Sequence, residues 1–185
     1  MRISGQLPFD MQTIDIQYYN SPAGELVLGS WCGKLCLCDW RQRVNRGAVD
    51  ARIIRYTGAR FVERPSEVTS LAIAELEGYF SGQRQSFSVP LYMCGTPFQI
   101  LVWEALQKVQ YGHTESYLQL ARRINHPEAV RAVASANAAN LLAILVPCHR
   151  IIGKDGTLTG YSGGIEAKQL LLSLERNHAT ERWLF

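Results

Sequence analysis

The sequence predicts a mixed α+β protein, with strands in the first part of the chain and helices in the second. Apolar, β-rich runs separated by turn residues fill the chain up to residue 40. Capping residues followed by apolar residues at helical spacing begin at Ser66 and dominate after residue 95. We therefore predict two domains, residues 1–94 and residues 95–185, the second of them mainly helical.

The first domain is predicted to open with an antiparallel meander of three strands, at residues 14–18, 25–31 and 35–40. A turn separates the first two, because the intervening residues include Asn, Ser, Pro and Gly. The following segment, residues 41–64, is basic and has no regular period, so we predict irregular structure there. Ser66 caps a predicted helix that ends at Phe80, and its apolar face consists of Val68, Leu71, Ala72, Leu76, Tyr79 and Phe80. Residues 87–91 favour one more short strand.

Two capping boxes mark helix starts in the second domain. The first lies at residues 96–99, with Pro97 at the first helical position. The second lies at residues 116–119 and opens a short helix that ends at Ile124. A break and a further helix from Pro127 to about Asn137 complete a predicted helix-turn-helix. A turn at 153–156 and a last helix at 165–175 follow; the predicted buried residues of the first and last helices are Ile100, Leu101, Trp103, Ala105, Leu106, Leu170, Leu171 and Leu174.

Composition indicates a globular chain. Of the 185 residues 47% are hydrophobic and 19% are charged, and no apolar run approaches the ~20 residues of a membrane span. The first six residues contain no apolar signal-peptide core. The chain has five cysteines, an odd number, so we expect reduced thiols and a cytoplasmic protein without a membrane partner. A net charge of +3 permits binding to nucleic acid but does not demonstrate it.

Four of the cysteines raise the question of a structural zinc site. They are Cys32, Cys36, Cys38 and Cys94. Their spacing contains no C-x-x-C element, and Cys36 and Cys38 alternate along a predicted strand. We therefore interpret them as ordinary thiols and expect no metal and no other cofactor.

The fifth cysteine belongs to the tetrapeptide Pro147, Cys148, His149 and Arg150, which directly follows the apolar run at residues 141–146. A short apolar run ended by proline is typical of a buried segment. It therefore delivers a thiol and an imidazole together at the edge of a core, and a thiol beside a base is the minimum requirement for a thiolate nucleophile.

The second helix of the predicted helix-turn-helix is unusual because residues 129–136 are nearly all small, with the single long side chain of Arg131 among them. A helix that reads the major groove normally presents several long polar side chains. Small residues instead suit a close approach to a narrow groove with one arginine pushed into the duplex. The alternative, that the alanines simply pack against the core, stays open on these residues alone.

Taken together, these motifs resemble the O6-alkylguanine-DNA alkyltransferase family over residues 95–175. The shared residues occur in order along the chain: Thr96, Pro97, Phe98, Gln99, Val102, Trp103, Tyr111, Gly112, Ser116, Tyr117, Leu120, Ala121, Arg131, Ala132, Val133, Asn140, Pro147, Cys148, His149, Arg150, Gly160, Tyr161, Gly163, Gly164, Lys168, Leu174 and Glu175. The resemblance implies a ribonuclease-H-like first domain, with which the predicted strands are compatible, and a winged helix-turn-helix-like second domain.

The same resemblance implies DNA repair by direct reversal of damage. Proteins of this family flip an O6-alkylguanine out of duplex DNA and move the alkyl group irreversibly onto their own cysteine, so each molecule acts once. It therefore implies double-stranded DNA as the partner, approached through the minor groove by a monomer. O4-alkylthymine is left open as a second substrate.

By resemblance, Cys148 is the nucleophile, His149 is its base acting through a water, and Glu175 orients the imidazole. Tyr117 would share a proton with N3 of the guanine, and Asn140 would tie the second helix to the segment that carries the thiol. The remaining predicted substrate or DNA contacts are Arg131, which would fill the gap left by the base, the backbone N–H of Ser162, the carbonyls of Cys148 and Ile151, the pocket wall Tyr161, and Ser116, Ala129, Ala132, Ser135 and Arg150.

The chain departs from the family pattern at four positions: Gln110, Ala134, Ser135 and Leu141. None of these removes a chemical group, so we expect effects on rate and lesion size rather than on the reaction. Two other functions stay open: a non-catalytic module that binds lesions, and a thiol hydrolase or acyltransferase, which Cys-His-Glu alone would also suit. The histidines His113, His126 and His178 match no functional position and are predicted to lie at the surface.

Overall fold

A computed structural model describes residues 12–180, so the predicted absence of a signal peptide at residues 1–6 lies outside the described part. The first three strands form the predicted antiparallel meander: β1 (Thr13–Ser21), β2 (Gly24–Trp31) and β3 (Lys34–Trp40). The β1–β2 pair is regular, whereas β2 and β3 shift register at a bulge between Gly29 and Ser30. The prediction of this part of the fold is confirmed.

The prediction of irregular structure at residues 41–64 is wrong. Helix α1 (Arg46–Thr57) and strand β4 (Arg60–Glu63) lie there, and β4 pairs parallel to β1 to give the sheet order β3-β2-β1-β4. The helix buries only Val49, Ile53 and Thr57, one residue in each turn, and its exposed side is mixed, with the apolar Ile54 beside Arg55. So narrow a stripe, with a threonine as its third member, produced no recognisable period.

Helix α2 (Glu67–Phe80) begins where the sequence predicts, and Ser66 and Thr69 form a reciprocal capping box at its start. Its buried face differs in detail from the prediction, because Leu71 is 42% exposed whereas Glu75 is buried. That carboxylate accepts hydrogen bonds from the backbone N–H groups of Ser88 and Val89, at 2.9 and 3.3 Å. The strand predicted at residues 87–91 is absent from the described structure there, apart from one isolated bridge at Leu91.

The second half is helical, as predicted: it contains α3 (Pro97–Leu106), α4 (Tyr117–Arg123), α5 (Val130–Ala138) and α6 (Gly164–Thr180), together with a small parallel pair formed by β5 (Glu115–Ser116) and β6 (Ile151–Ile152). Both predicted capping boxes are present, at Thr96 and Ser116. Helix α5 begins three residues later than predicted because Pro127 lies in the preceding turn. In α3 and α6 the predicted Leu101 is exposed and Leu171 is fully buried.

The main hydrophobic core draws residues from both sides of residue 94, including Leu28 and Trp40 of the sheet and Trp103, Val146 and Leu171 of the helical half. A smaller cluster lies beneath α1, around Ile14 and Ile53. The thiol-bearing segment therefore rests on a core built by both halves, and the domain boundary at residue 94 stays a prediction. Among residues 12–180, none of the helices has the length and apolar character needed to cross a membrane.

Candidate active site around Cys148

The apolar run at residues 141–146 is buried, as predicted, but it is not a regular strand. It pairs with the edge strand β3 through two backbone hydrogen bonds. Cys38 N–H donates to the carbonyl of Leu141 at 2.8 Å, and Ala143 N–H donates to the carbonyl of Cys38 at 2.7 Å. The chain then reverses at Ile144, whose φ of 73° lies in the left-handed region that β-branched residues rarely occupy. Pro147 follows, and Cys148 begins a single turn of 3-10 helix.

Asn140 connects the end of α5 to this segment. Its Nδ2 donates to the carbonyl of Val146 at 2.8 Å and to Sγ of Cys148 at 3.1 Å, while its Oδ1 accepts from the N–H of Leu142 at 2.9 Å. All three of its polar contacts are local and buried. The side chain therefore fixes the thiol relative to the helix that precedes it.

Glu175 is fully buried at the centre of a network of five donors. Its carboxylate accepts hydrogen bonds from Nε2 of His149 (2.8 Å), the hydroxyl of Tyr79 (2.8 Å), Nε and Nη2 of Arg150 (2.9 Å each) and the N–H of Gly112 (3.0 Å). Burial alone would raise the pKa of this carboxyl, but the hydrogen bonds and charges of His149 and Arg150 outweigh it and hold the pKa well below its usual range. Glu175 is therefore an anion that only accepts.

This arrangement fixes the proton on His149. Because Glu175 only accepts, Nε2 of the imidazole must be the nitrogen that carries hydrogen. Burial lowers the pKa of His149, partly opposed by Glu175, so the ring is neutral at rest. A neutral ring protonated at Nε2 has its lone pair at Nδ1, and that atom makes no hydrogen bond to any of the described residues. Nδ1 is therefore the position at which His149 can take a proton.

The thiol itself is protonated at rest. Burial raises the pKa of Cys148 to about 11, and the hydrogen bond from Asn140 offsets this only in part. A thiol with this pKa contains almost no thiolate at neutral pH, so its proton must leave during the reaction. The site thus pairs a protonated nucleophile with a neutral base in the next residue.

Two basic side chains, those of Arg150 and Lys168, are buried and donate their hydrogen bonds to groups of the protein itself. Arg150 was predicted to contact substrate or DNA, and that contact stays a prediction. Its side chain is only 6% exposed, pairs with Glu175 and donates from Nη1 to the carbonyl of Val109 at 2.6 Å. Lys168 is fully buried and donates from Nζ to the carbonyls of Ile151 and Thr159, at 2.7 and 3.1 Å. The Ile151 carbonyl, predicted to read the guanine amine, therefore already accepts one hydrogen bond.

Cys148 opens into a cavity of about 330 Å³, which we call the Cys148 cavity. Its walls are formed by residues from the end of α5, from the loop before α6 and from the loop after β3: Asn137, Ala138, Gly160, Tyr161, Ser162, Arg43 and Val44. The ring of Tyr161 lies between those of Trp40 and His149, with centroids 5.9 and 6.4 Å away. Tyr161 is thus a packed wall of the cavity, in the position where the resemblance implied one.

The small residues of helix α5 lie on two faces, one packed against the core and one exposed. Val133 and Ala136 are buried, and the carbonyl of Ala136 accepts a hydrogen bond from Nε1 of Trp103 at 2.8 Å. On the opposite face Arg131 and its small neighbours are exposed; these are Ala132, Ser135 and Ala138. The helix therefore packs through one small face and presents a second small face, with a single arginine, to the outside.

The other predicted contact residues lie at the start of α4 and in the loop before α6. Ser116 caps α4, and the first residue of that helix, Tyr117, is half-buried with its hydroxyl 3.1 Å from Oγ1 of Thr159. Ser162 lines the Cys148 cavity, whereas Ala129 is half-buried just before α5. No described contact joins Tyr117 to the thiol, so its predicted role depends on a bound base.

Sequence reasoning missed three members of the site: Tyr79, Gly112 and the buried position of Lys168. Gly112 and Lys168 occur among the shared motif residues, but nothing in the sequence indicated that they lie inside. Tyr79 had a readable signal, as it was predicted on the buried face of α2, but its partner lies 96 positions away. Of the other cysteines, Cys36, Cys38 and Cys94 are buried and Cys32 is exposed, and residues 12–180 contain no cluster of three or more metal-ligating side chains.

Acid should weaken the fold over a range of pH that these groups define. The folded-state pKa values of His149 and Glu175 are lowered, so the unfolded chain, with ordinary values near 6.5 and 4.3, binds protons more readily. The stability that both groups contribute is complete above about pH 6.5 and is lost as the pH falls. We expect the free energy of unfolding, from urea titrations, to decline steadily from pH 7 to pH 4. In the control variant His113→Gln, which changes an exposed histidine, the free energy of unfolding should decline with pH in parallel with the wild type. A free energy of unfolding that does not change between pH 7 and pH 4 in the wild type would contradict this prediction.

Comparison with known proteins agrees with the geometry. The family model described as "6-O-methylguanine DNA methyltransferase, DNA binding domain" matches residues 97–177. The inducible methylated-DNA–protein-cysteine methyltransferase of Bacillus subtilis is 48% identical over 127 residues, which are 69% of this chain and 70% of that protein. The chain belongs to the methylated-DNA–protein-cysteine methyltransferase family. The resemblance drawn from the motifs is therefore confirmed.

Solved structures extend the likeness to the whole fold of this methyltransferase. The crystal structure of the Mycobacterium tuberculosis O6-methylguanine methyltransferase is 38% identical, with a TM-score of 0.76 over 89% of this chain and 94% of that one. A structure of the M. tuberculosis protein in complex with DNA matches with 37% identity and the same TM-score, over 90% and 94% of the two chains. The mixed α+β fold predicted from sequence is thus the fold of this family.

Proposed function

We propose that this chain repairs DNA by moving a methyl or larger alkyl group from O6 of guanine to Sγ of Cys148, and that each molecule does so once. Direct repair of methylated DNA by transfer to a protein cysteine is the activity of the family to which the chain belongs. The observation that supports Cys148 as the acceptor is the buried Asn140–Cys148–His149–Glu175 arrangement at a cavity. Cys36 and Cys38 lie on β3, where burial raises the pKa of both thiols.

The proposed reaction follows from the protonation states of the site. His149 takes the thiol proton at Nδ1 through a water, and Glu175 stabilises the resulting imidazolium through Nε2. Sγ then attacks the alkyl carbon, the S–C bond forms and the C–O6 bond breaks, with its electron pair left on the guanine. A proton shared by Tyr117 at N3 and a hydrogen bond from the N–H of Ser162 to O6 stabilise the departing base. The thioether has no route back to a thiol, so the reaction ends there.

The proposed DNA partner is duplex DNA approached through its minor groove by a monomer. The exposed face of α5 supports this docking, since Ala132, Ser135 and Ala138 allow close approach and Arg131 is free to enter the stack. Ser116, at the start of α4, and Ala129, just before α5, are proposed to contact the DNA backbone. The exposed Ser135 and half-buried Ala134 add little volume there, so the departures from the family pattern are compatible with binding. We place the protein in the cytoplasm, because Cys148 must remain reduced to react.

Replacing Arg131 by alanine should separate base flipping from chemistry. We expect single-turnover transfer from an O6-methylguanine duplex to slow by about tenfold or more, because nothing then fills the gap left by the flipped base. Transfer from free O6-benzylguanine, which needs no flipping, should change little. Arg60→Ala, which removes the same charge from the edge strand β4, serves as the control. Equal losses on both substrates would assign Arg131 another role.

A labelled duplex distinguishes the proposed function from the two alternatives. A duplex with one tritiated O6-methylguanine should lose its label to the protein until one equivalent is bound, whereas N7-methylguanine should give no transfer. A lesion-binding module would bind the first duplex without taking up label, and a thiol hydrolase would turn over ester substrates and ignore DNA. Either of these results would overturn the proposal.

A further inference from the structure

Two residues from the N-terminal half belong to the wall of the Cys148 cavity. They are Arg43 and Val44, in the loop between β3 and α1. The proposed reaction assigns no role to this loop. Its position nevertheless places an N-terminal side chain beside the space that an alkyl group on Sγ must occupy.

The loop is held firmly against the end of α5. Nη1 of Arg43 donates to Oδ2 of the buried Asp39 at 2.8 Å and to the carbonyl of Asn140 at 3.0 Å, and Nη2 donates to the carbonyl of Ala138 at 2.7 Å. The Arg43 side chain is only 14% exposed. A second N-terminal arginine, Arg52, donates to the carbonyl of Ala139. The carbonyl end of α5 and the Arg43–Val44 loop therefore form one wall.

Beyond this wall lies a second cavity of about 480 Å³, which we call the Trp40 cavity. Val44, Tyr161 and Ser162 line both cavities and separate them. The remaining lining of the Trp40 cavity includes Trp40 and Ala23, from the sheet and the β1–β2 turn. The two spaces thus adjoin across three side chains.

Of these three side chains, Val44 is the one that can set the opening. Tyr161 is packed between the rings of Trp40 and His149, and Ser162 is small. Val44 is 81% exposed although it is apolar, and it lines both spaces. A change in the volume of this side chain would therefore widen or close the passage without disturbing the buried network around Glu175.

We propose that Val44 determines the size of the alkyl group that is accepted, and that the Trp40 cavity receives the distal part of bulky, aromatic O6-alkyl groups. A methyl group needs no space beyond the Cys148 cavity. An arylmethyl group remains attached to Sγ after transfer, so its distal part needs space near Sγ that the guanine does not occupy, and the Trp40 cavity beyond Val44 offers that space. The inference rests on the proposed alkyl transfer and adds a specificity determinant from the N-terminal half.

The test compares single-turnover rates on duplexes that contain O6-methyl-, O6-benzyl- or O6-(4-phenylbenzyl)guanine. Val44→Ala should raise the ratio of 4-phenylbenzyl to methyl transfer by roughly five- to tenfold, and Val44→Phe should lower it by a similar factor. The ratio is the readout, so a general change in activity cancels. Leu71→Ala, at an exposed apolar position on α2, is the control and should leave the ratio unchanged.

A second variant tests the far cavity alone. Ala23→Leu fills the Trp40 cavity without reaching the Cys148 cavity, so it should slow transfer of the 4-phenylbenzyl group several-fold relative to the benzyl group. Ratios that stay at the wild-type value in all three cavity variants would overturn the inference while leaving alkyl transfer intact. Failure of the wild type to take up even a methyl group would instead refute the proposed function.

Discussion

Replacing Cys148 by serine is expected to abolish alkyl transfer and to leave lesion binding in place. A serine hydroxyl fits the same position and can accept the hydrogen bond from Asn140 Nδ2. It is a far weaker nucleophile at neutral pH, and His149, whose pKa is lowered by burial, is too weak a base to convert it to an alkoxide. Intact-mass measurement after incubation with an O6-methylguanine duplex should therefore show no adduct, while gel-shift affinity for that duplex stays within a few-fold of the wild type.

The control for this variant makes the same chemical change elsewhere. Cys32→Ser alters an exposed thiol in the turn between β2 and β3, and it should transfer the alkyl group at the wild-type rate. Transfer that survives in Cys148→Ser but disappears in Cys32→Ser would move the acceptor to the N-terminal half. Loss of lesion binding along with transfer would show that the thiol contributes to recognition as well as to chemistry.

Replacing Glu175 by glutamine is expected to damage both stability and reactivity. Glutamine keeps the shape of the side chain but removes the charge that faces Arg150, leaving a buried guanidinium without its anion. Breaking a buried pair in this way costs about 3–5 kcal/mol. The amide can also donate to Nε2 of His149, which would favour the tautomer that has its hydrogen at Nδ1 and block proton uptake there. Transfer should fall by about 10²- to 10⁴-fold.

These two effects are separated by measuring each where the other does not interfere. Urea titration gives the loss of stability, and single-turnover transfer is then followed at a temperature where the variant is fully folded. Glu166→Gln, an exposed change on the same helix α6, should match the wild type in both measurements. A Glu175→Gln protein that is folded and reacts at the wild-type rate would contradict the role given to His149 and Glu175.

The sequence predicted those helices and strands whose formation depends on residues close together in the chain. The capping boxes at Ser66, Thr96 and Ser116 mark helix starts because two side chains within four residues satisfy backbone groups that the helix itself cannot. The alternating residues of the meander were equally local. The helix-turn-helix was predicted in type, but the start of α5 was misplaced, since a proline suits the turn before a helix as well as its first position.

The prediction failed where structure depends on distant partners. Helix α1 has a narrow apolar stripe and stays on the sheet through contacts that no local period reveals. Glu175 illustrates the same limit in the site. The predicted last helix ends at residue 175, whereas α6 continues to Thr180, and the Glu175 carboxylate is held by five donor atoms from three separate segments: α2, the loop at Gly112 and the turn at His149 and Arg150.

The N-terminal half contributes to the site more than its lack of motifs suggested. Tyr79 of α2 donates to Glu175, the partner of His149, and Arg43 donates to the carbonyls of Ala138 and Asn140. The N-terminal half therefore holds the residues on either side of the segment 141–148. Ile144, buried in a left-handed conformation, shows that the segment between these contacts is strained and kept in place by its surroundings. Rigid placement of the thiol thus depends on both halves of the chain.

In the proposed reaction Cys148 accepts the alkyl group and is consumed in doing so. The most direct measurement of this step is intact-mass analysis, followed by peptide mapping, of the wild-type protein after reaction with excess O6-methylguanine duplex. We expect a gain of one methyl group for each protein molecule, located on the peptide that contains Cys148, and no further repair when more duplex is added. Repair of several lesions by each molecule, or a methyl group on any other residue, would contradict it.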